Sequence, residues 1–121
     1  MLISVITVVK DDLSGLLTTG ESLRSQDFGD WEWLVKDGAS TDGTAEALTE
    51  LQPAPAWQES AADSGIYDAM NQALPHARGE WVLFLNAGDT LSEPVTLSRV
   101  APMLAESPRQ WAFGSVRNIA P

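Results

Sequence analysis

The sequence contains no cysteine and only one histidine. The absence of cysteine excludes disulfide bonds, thiolate nucleophiles and zinc–cysteine sites, and it fits a reducing compartment. A single histidine cannot build a histidine metal cluster. We interpret His76, which lies near the end of a predicted helix beside Arg78, as a partner of the helix dipole. A general base is the less favoured alternative for this side chain.

Basic residues are also few, because seven lysines and arginines stand against seventeen acids and give a formal charge of -10. The basic footprint of a nucleic-acid-binding protein is therefore missing, and we expect no nucleic-acid partner. An excess of acid is typical of a solubility feature. Some of these carboxylates could still serve a cation site.

Long apolar runs are absent as well. No segment approaches the roughly 20 apolar residues that cross a bilayer. Residues 1–10 are apolar but lack the basic region and the cleavage site of a signal peptide. We therefore expect a soluble, cytoplasmic chain, and its 121 residues suffice for one domain with a real core.

The chain does contain a regular alternation of strand and helix patterns. The β-branched run at residues 2–9 predicts a strand covered on both faces, and residues 13–23 carry a helical apolar stripe. The alternation predicts an α/β fold with a mostly parallel, doubly wound sheet flanked by helices. The other predicted strands are 31–36, 56–59, 81–85 and 111–116, and the other predicted helices are 44–51, 66–77 and 95–105.

Carboxylates follow two of these strands. Asp37 opens the turn DGASTDGT, and Asp89 closes the sequence NAGD at residues 86–89, here called the NAGD loop. Ligands of open α/β sheets bind outside the carboxyl ends of the strands, so both segments should face one crevice. Oxygen ligands beside glycine suit Mg²⁺ and the phosphates it carries. We predict a phosphate or sugar-nucleotide site in which Asp89 holds the metal and Asp37 accepts hydrogen bonds from a base or ribose. A simple turn aspartate is the alternative for Asp37.

Polar residues also cluster at the start of the predicted helix 66–77, in the sequence DSGIYDAMN at residues 63–71. Asp68 and Asn71 are three residues apart and share one helix face, so they could converge on a ligand. A solvated polar face is the alternative. Asp63 or Ser64 could cap the helix.

Four segments together resemble family 2 glycosyltransferases. They are ISVITVVKDD, WLVKDGASTDGT, DSGIYDAMNQAL and GEWVLFLNAGDTL, in this order, and the resemblance runs from about residue 3 to residue 116. It implies the Rossmann-like GT-A fold and a single domain, residues 1–121, that binds a nucleoside-diphosphate sugar.

The resemblance also implies a mechanism and partners. The donor would be a UDP-sugar or another nucleoside-diphosphate sugar, with Mg²⁺ or Mn²⁺ between the diphosphate and the NAGD loop. Transfer would be inverting, to a glycan or lipid-linked acceptor in polysaccharide or lipid-linked glycan assembly. Thr7, Val9 and Asp37 would lie near the base, Asp63, Asp68 and Asn86 would line the donor site, and Asp89 would hold the metal.

The chain departs from the family pattern in three respects. Asn86 and Gly88 stand where the family often has acids, and Lys36 stands where an acid often precedes Asp37. Family members are also much longer, and their second half supplies the acceptor site and the catalytic base. We therefore expect a truncated chain that binds donor without turnover and exposes apolar surface suited to a homodimer. The parent protein would associate peripherally with a membrane.

Two other functions compete with this interpretation. A two-component receiver domain has this length and an acidic pair after the first strand, which Asp11 and Asp12 could supply. It also needs an aspartate after the third strand and a lysine after the fifth, and the chain has neither. A non-catalytic nucleotide-binding or interaction module, whose acids only cap helices, is the second alternative.

Overall fold

A computed structural model describes residues 1–106 of the chain, so the predicted strand 111–116 lies outside the described residues. The strands and helices alternate along the chain, as the hydrophobic pattern predicts. Two of the helices continue as a short 3₁₀ turn. The elements are β1 (Ile3–Val9), α1 (Leu13–Arg24), β2 (Trp31–Asp37), α2 (Thr44–Ala47, then a 3₁₀ turn Leu48–Glu50), β3 (Trp57–Ser60), α3 (Ile66–Ala73, then a 3₁₀ turn Leu74–His76), β4 (Trp81–Phe84) and α4 (Thr96–Glu106).

The four described strands form one sheet in the order β3-β2-β1-β4, and each neighbouring pair is parallel. Every residue of β1 is buried, as expected for a central strand with helices on both faces. The prediction of a parallel α/β sheet is thus confirmed. The order also argues against a receiver domain, because β1 lies here between β2 and β4, whereas the flavodoxin-like order of receivers places it between β2 and β3.

Each face of the sheet carries its own apolar cluster. The larger cluster contains Leu16 and Leu23 of α1, Trp33 of β2 and Leu97 of α4. The smaller cluster, on the opposite face, joins Ile6 and Leu34 of the sheet to α3. The sheet is therefore packed on both sides, and the carboxyl ends of its strands are left to build a site.

Helix α3 differs from its prediction in length and in orientation. The α-helical part ends at Ala73 instead of Ala77, because Pro75 has no N–H to continue the helix. The apolar pattern predicts that Ile66, Met70, Ala73 and Leu74 point inward. Ala73 is buried as predicted and Met70 is partly buried, whereas Ile66 and Leu74 are 56% and 38% exposed and Ala69 is buried in addition. The small side chains of Ala69 and Ala73 let the helix approach the sheet closely.

Candidate functional site

A cavity of about 270 Å³ opens at the carboxyl end of β1. Three segments form its walls: the end of β1 with the loop to α1, the β3–α3 connection with the start of α3, and the NAGD loop after β4. This is the position at which open α/β sheets bind ligands. The lining residues are Val8, Val9, Lys10, Asp12, Asp63, Gly65, Ile66, Ala69, Asn86 and Ala87.

Three of the predicted donor-site residues, Val9, Asp63 and Asn86, line this cavity. Thr7 does not, because its buried side chain is used within the fold. Its hydroxyl donates to the carbonyl oxygen of Leu85 at 2.6 Å and accepts from Nε1 of Trp33 at 2.9 Å. Thr7 therefore supports the floor of the site by joining β1 to both neighbouring strands.

Asp37 is fully buried at the end of β2 and does not line the cavity. Its carboxylate accepts hydrogen bonds from the backbone N–H and the hydroxyl of Ser40, and from the hydroxyl of Ser60 at 2.7 Å. Both of its oxygens thus have partners inside the protein. The arrangement fixes the DGAS turn (residues 37–40) against the end of β3, which is the structural role that the turn alternative predicted.

Asp63 has only 7% of its side chain accessible and is held from two sides. One oxygen, Oδ2, lies 3.3 Å from Nζ of Lys36, and the other, Oδ1, accepts the N–H of Gly65 at 3.1 Å. Lys36 itself is fully buried, and its ammonium also donates to the carbonyl oxygens of Asp37 and Ala61 at 3.0 and 2.6 Å. The positive charge that Lys36 places beside Asp37 is thus paired with a cavity carboxylate.

Asp68 lies at the start of α3 but is not among the cavity-lining residues. Its Oδ2 accepts the backbone N–H of Ser64 at 2.9 Å and Nε2 of Gln72 at 3.0 Å. The bond from the Ser64 N–H is the main reason why the pKa of Asp68 is below its usual range. The geometry ties Asp68 to the loop that carries Asp63, while Asn71, its predicted partner, is exposed.

The side chain of Thr19 in α1 forms hydrogen bonds with the backbone of the NAGD loop. The sequence pattern did not indicate a role for this residue. The buried Thr19 hydroxyl donates to the carbonyl oxygen of Asp89 at 2.7 Å and accepts the N–H of Gly88 at 3.0 Å. Gly88 has φ 94°, which a residue with a side chain rarely adopts. Its N–H also points at the carbonyl oxygen of Gly15, at 3.0 Å. Thr19 lies 69 residues from Gly88, and no sequence pattern indicates the contact.

Asn86 lines the cavity and Asp89 does not, and their side chains offer the oxygens of this loop that could meet a cation. The Oδ1 atom of Asn86 is buried and has no hydrogen-bond partner in the described part of the chain, and the side chain of Asp89 is exposed. Among residues 1–106 no group of three or more histidine, aspartate or glutamate side chains could hold a metal. These residues fit Mg²⁺ or Mn²⁺ only if phosphate oxygens and water complete the coordination, as they commonly do for Mg²⁺.

A search with protein-family models matches residues 4–120 to Glycosyl transferase family 2. An uncharacterized glycosyltransferase of Mycobacterium tuberculosis is 39% identical over 119 residues, covering 95% of this chain and 45% of the relative. A PGL/p-HBAD biosynthesis glycosyltransferase of Mycobacterium bovis is 38% identical over 100 residues, covering 79% of this chain and 39% of the relative. The chain thus spans less than half the length of these curated relatives.

Solved structures give the same result for the fold. Residues 1–349 of TarS from S. aureus, in complex with UDP-GlcNAc, match with a TM-score of 0.78 and 28% identity, over 88% of this chain and 32% of that chain. The mannosyltransferase PcManGT from Pyrobaculum calidifontis, in complex with GDP-Man and Mn²⁺, matches with a TM-score of 0.74 and 25% identity, over 88% and 32%.

Within residues 1–106, no helix has the length and apolar character needed to cross a membrane. The family match, which covers nearly the whole chain, agrees with the order of the strands and with the position of the cavity. The chain belongs to the family 2 glycosyltransferases and has the parallel α/β sheet of their GT-A fold.

Proposed function

We propose that this chain is the donor-binding part of a glycosyltransferase and that the cavity beside β1 binds a nucleoside-diphosphate sugar, with UDP as the preferred nucleotide. The cavity itself is the observation that carries the proposal. It lies at the carboxyl ends of the strands, where nucleotides bind to such sheets, and its volume of about 270 Å³ is close to the lower end of ligand sites. TarS has been crystallised with UDP.

The charge of the site supports a cation as cofactor. Asp12 and Asp63 line the cavity, and Lys10 is the only basic side chain among the lining residues. A diphosphate brought next to these carboxylates would be repelled unless a cation lay between them. A bound Mg²⁺ or Mn²⁺ would neutralise charge on the departing diphosphate. Asp89 is the residue that we propose as its protein ligand, with the Asn86 side-chain oxygen as a neighbour.

The other polar residues would have distinct parts in the same proposal. Asp63 would accept hydrogen bonds from the nucleotide inside the cavity, and Val9 would contact it through apolar surface. Thr7, Asp37 and Asp68 would act from behind these residues, because none of the three is among the residues that line the cavity. In this proposal the three residues support the donor site without contacting the nucleotide.

The catalytic base and the acceptor site belong, in this proposal, to the part of a whole transferase that residues 1–106 do not supply. The two acids after the NAGD loop are exposed. One of them, Glu93, pairs with Arg99 at 3.2 Å, and the other, Glu106, ends α4. We propose inverting transfer to a glycan or lipid-linked acceptor by the whole protein. Its cytoplasmic location and a peripheral contact with a membrane stay predictions.

A homodimer of the isolated chain is a further part of the proposal. Ile66, Met70 and Leu74 recur every fourth residue along α3, and Ile66 and Leu74 are among the exposed large apolar side chains. Phe84 of β4 is 43% exposed. These side chains give an apolar surface that a second copy could cover. Sedimentation velocity of the chain and of Leu74→Ser, which lies outside the cavity lining, would test this surface.

The proposed donor site is tested by calorimetric titration of UDP into the folded chain with and without Mn²⁺. We expect binding that requires Mn²⁺ and is lost in Asp89→Ala. Glu80→Ala is the matched control, because Glu80 is an exposed acid at the opposite end of the sheet, and it should bind as the parent chain does. Titrations with GDP and dTDP would detect a different nucleotide preference.

Either of two results would contradict this proposal. Failure of the folded chain to bind any of the three nucleotides would contradict the proposed donor site. Binding that does not depend on Mn²⁺ or on Asp89 would instead favour the non-catalytic nucleotide-binding module.

A further inference from the structure

Lys36 places a positive charge inside the sheet. Its side chain is fully inaccessible, and strand alternation directs it to the same face of β2 as Glu32 and Leu34. Moving an ammonium group out of water is costly, and a buried ion pair seldom stabilises a protein more than apolar residues of the same volume would. A buried lysine at this position therefore points to a role other than stability.

The ammonium of Lys36 joins three points at the edge of the cavity. It donates to the carbonyl oxygen of Asp37 at the end of β2, to that of Ala61 after β3, and to Oδ2 of Asp63. The N–H of Ala61 also donates to the carbonyl oxygen of Asp37 at 3.0 Å. The lysine thus extends the pairing of β2 with β3 into the loop that carries Asp63.

Gly38 supplies independent geometric evidence that the Asp63 carboxylate has a fixed place. A Cβ atom added to Gly38 would lie 3.1 Å from Oδ2 of Asp63, which is closer than ordinary van der Waals contact. The N–H of Gly65 holds the other carboxylate oxygen. Lys36, Gly38 and Gly65 therefore define one position for Asp63 in the cavity wall.

We propose that Lys36 is a positioning residue that presents the Asp63 carboxylate to the nucleotide part of the donor. The adjacent ammonium offsets the negative charge of Asp63, so that a carboxylate can accept hydrogen bonds from ligand hydroxyl or N–H groups in a cavity that also receives an anionic ligand. The inference rests on the proposed donor site and adds to it the group that orients its carboxylate.

The test combines denaturant unfolding with calorimetric titration of UDP and Mn²⁺ on four variants. Lys36→Met leaves the largely buried Asp63 carboxylate without its cationic partner, so the variant should unfold at lower denaturant and bind UDP about tenfold more weakly or worse. In Lys36→Met with Asp63→Asn, the unpaired charge is gone. That double variant should regain much of the lost stability and none of the lost affinity, which separates positioning from a purely structural role.

Gly38→Ala tests in a second way whether the position of the Asp63 carboxylate matters for binding, because it keeps Lys36 and displaces that carboxylate. It should weaken UDP binding, whereas Gly29→Ala, with nothing within 4 Å of the added Cβ, should not. If Lys36→Met fails to fold, Gly38→Ala and Asp63→Asn decide the matter, and parental affinity in both overturns the inference.

Two further outcomes would also overturn the inference. Parental affinity in folded Lys36→Met, or recovery of affinity in the double variant, would mean that Lys36 does not act through Asp63 on the donor. If the parent chain itself binds no nucleotide, the proposed donor site fails and this inference falls with it. The two failures are distinguishable, because the inference alone is contradicted only when the parent chain binds UDP and the variants give one of the results above.

Discussion

The two polar walls of the cavity use their side chains in different ways. In the first, formed by the end of β2 and the β3–α3 connection, Asp63 lines the cavity and Asp37 lies buried behind it. Both carboxylates have hydrogen-bond partners on both oxygens. In the NAGD loop the backbone is bonded to α1, while the Asp89 side chain is exposed and the Asn86 Oδ1 atom has no partner in the described part of the chain. The carboxylates of the first wall are thus held in place before a ligand binds, whereas the NAGD loop has side-chain oxygens without partners among the described residues.

This difference matches the two halves of the proposed donor. A nucleoside has a fixed shape and many hydrogen-bonding groups, so a rigid wall can recognise it without being reordered on binding. A diphosphate with its cation needs oxygen ligands that are not already consumed. We therefore expect changes in the first wall to cost stability and changes in the NAGD loop to affect metal-dependent binding.

The largest effect should come from Asp37→Ala in the first wall. The change removes a buried carboxylate that accepts three hydrogen bonds from Ser40 and Ser60, and the loss of hydrogen bonds to a charged group should lower the free energy of unfolding by about 3 kcal/mol. Urea denaturation measures it. Glu59→Ala is the matched control, because Glu59 is an exposed acid on the neighbouring strand, and it should change stability by about 0.5 kcal/mol or less. Equal losses in both variants would mean that Asp37 is not the anchor of this wall.

A smaller effect is expected from Thr19→Val, which tests how the NAGD loop is held. Valine keeps the shape but loses the hydroxyl that bonds Asp89 and Gly88, so stability should fall by about 1–2 kcal/mol. The Mn²⁺-dependent part of UDP binding should weaken as well. Thr18→Val removes an exposed hydroxyl that bonds only within α1 and should alter neither quantity. Unchanged Mn²⁺ dependence in Thr19→Val would separate the loop backbone from the metal.

The smallest effect should come from Asp68→Asn, which concerns the loop behind the first wall. The pKa of Asp68 is lowered from its ordinary value of 3.8, chiefly by the Ser64 N–H. A carboxyl whose pKa is lower in the folded state stabilises the fold above its unfolded pKa and ceases to do so as the pH falls through the folded pKa. The stability difference between the parent chain and Asp68→Asn should therefore be constant from about pH 5 to 7 and shrink below about pH 4.

Denaturant unfolding across this pH range measures the difference. The decrease of this stability difference at low pH should persist in high salt. A hydrogen bond lowers the pKa of Asp68, whereas salt screens charges that interact at longer range. A difference that stays constant down to pH 2 would contradict the assignment of the shift to Asp68.

Much of the fold could be predicted from the sequence because β1 is a β-branched apolar segment and because strand and helix patterns alternate along the chain. The orientation of α3 could not. Its apolar residues correctly indicate that Ala73 is buried, yet Ala69 is the other buried residue, and the larger Ile66 and Leu74 are exposed. How far a helix rotates about its axis depends on the partner surface, which a periodic pattern does not contain.

The candidate site was predictable where residues follow a strand directly, and less so elsewhere. Val9, Asp63 and Asn86 lie in or after strands and line the cavity as expected. Lys36 and Thr19 were not recognised as parts of the site because their contacts join residues 27 and 69 positions apart. Asp37 behaves differently. Its motif indicated a ligand contact, whereas its oxygens accept hydrogen bonds from Ser40 in the turn and from Ser60 of β3.

The most direct test of a metal-bound nucleotide at the NAGD loop is a nuclear magnetic resonance titration of the isotopically labelled chain with UDP and Mn²⁺. Paramagnetic Mn²⁺ broadens the signals of nearby amides. We predict that Mn²⁺ with UDP broadens Gly88, Asp89 and Asp12 and leaves Gly79 and Glu80, at the far end of β4, sharp. Broadening that is equal at both ends of the sheet, or that appears equally without UDP, would contradict a donor site between the two walls.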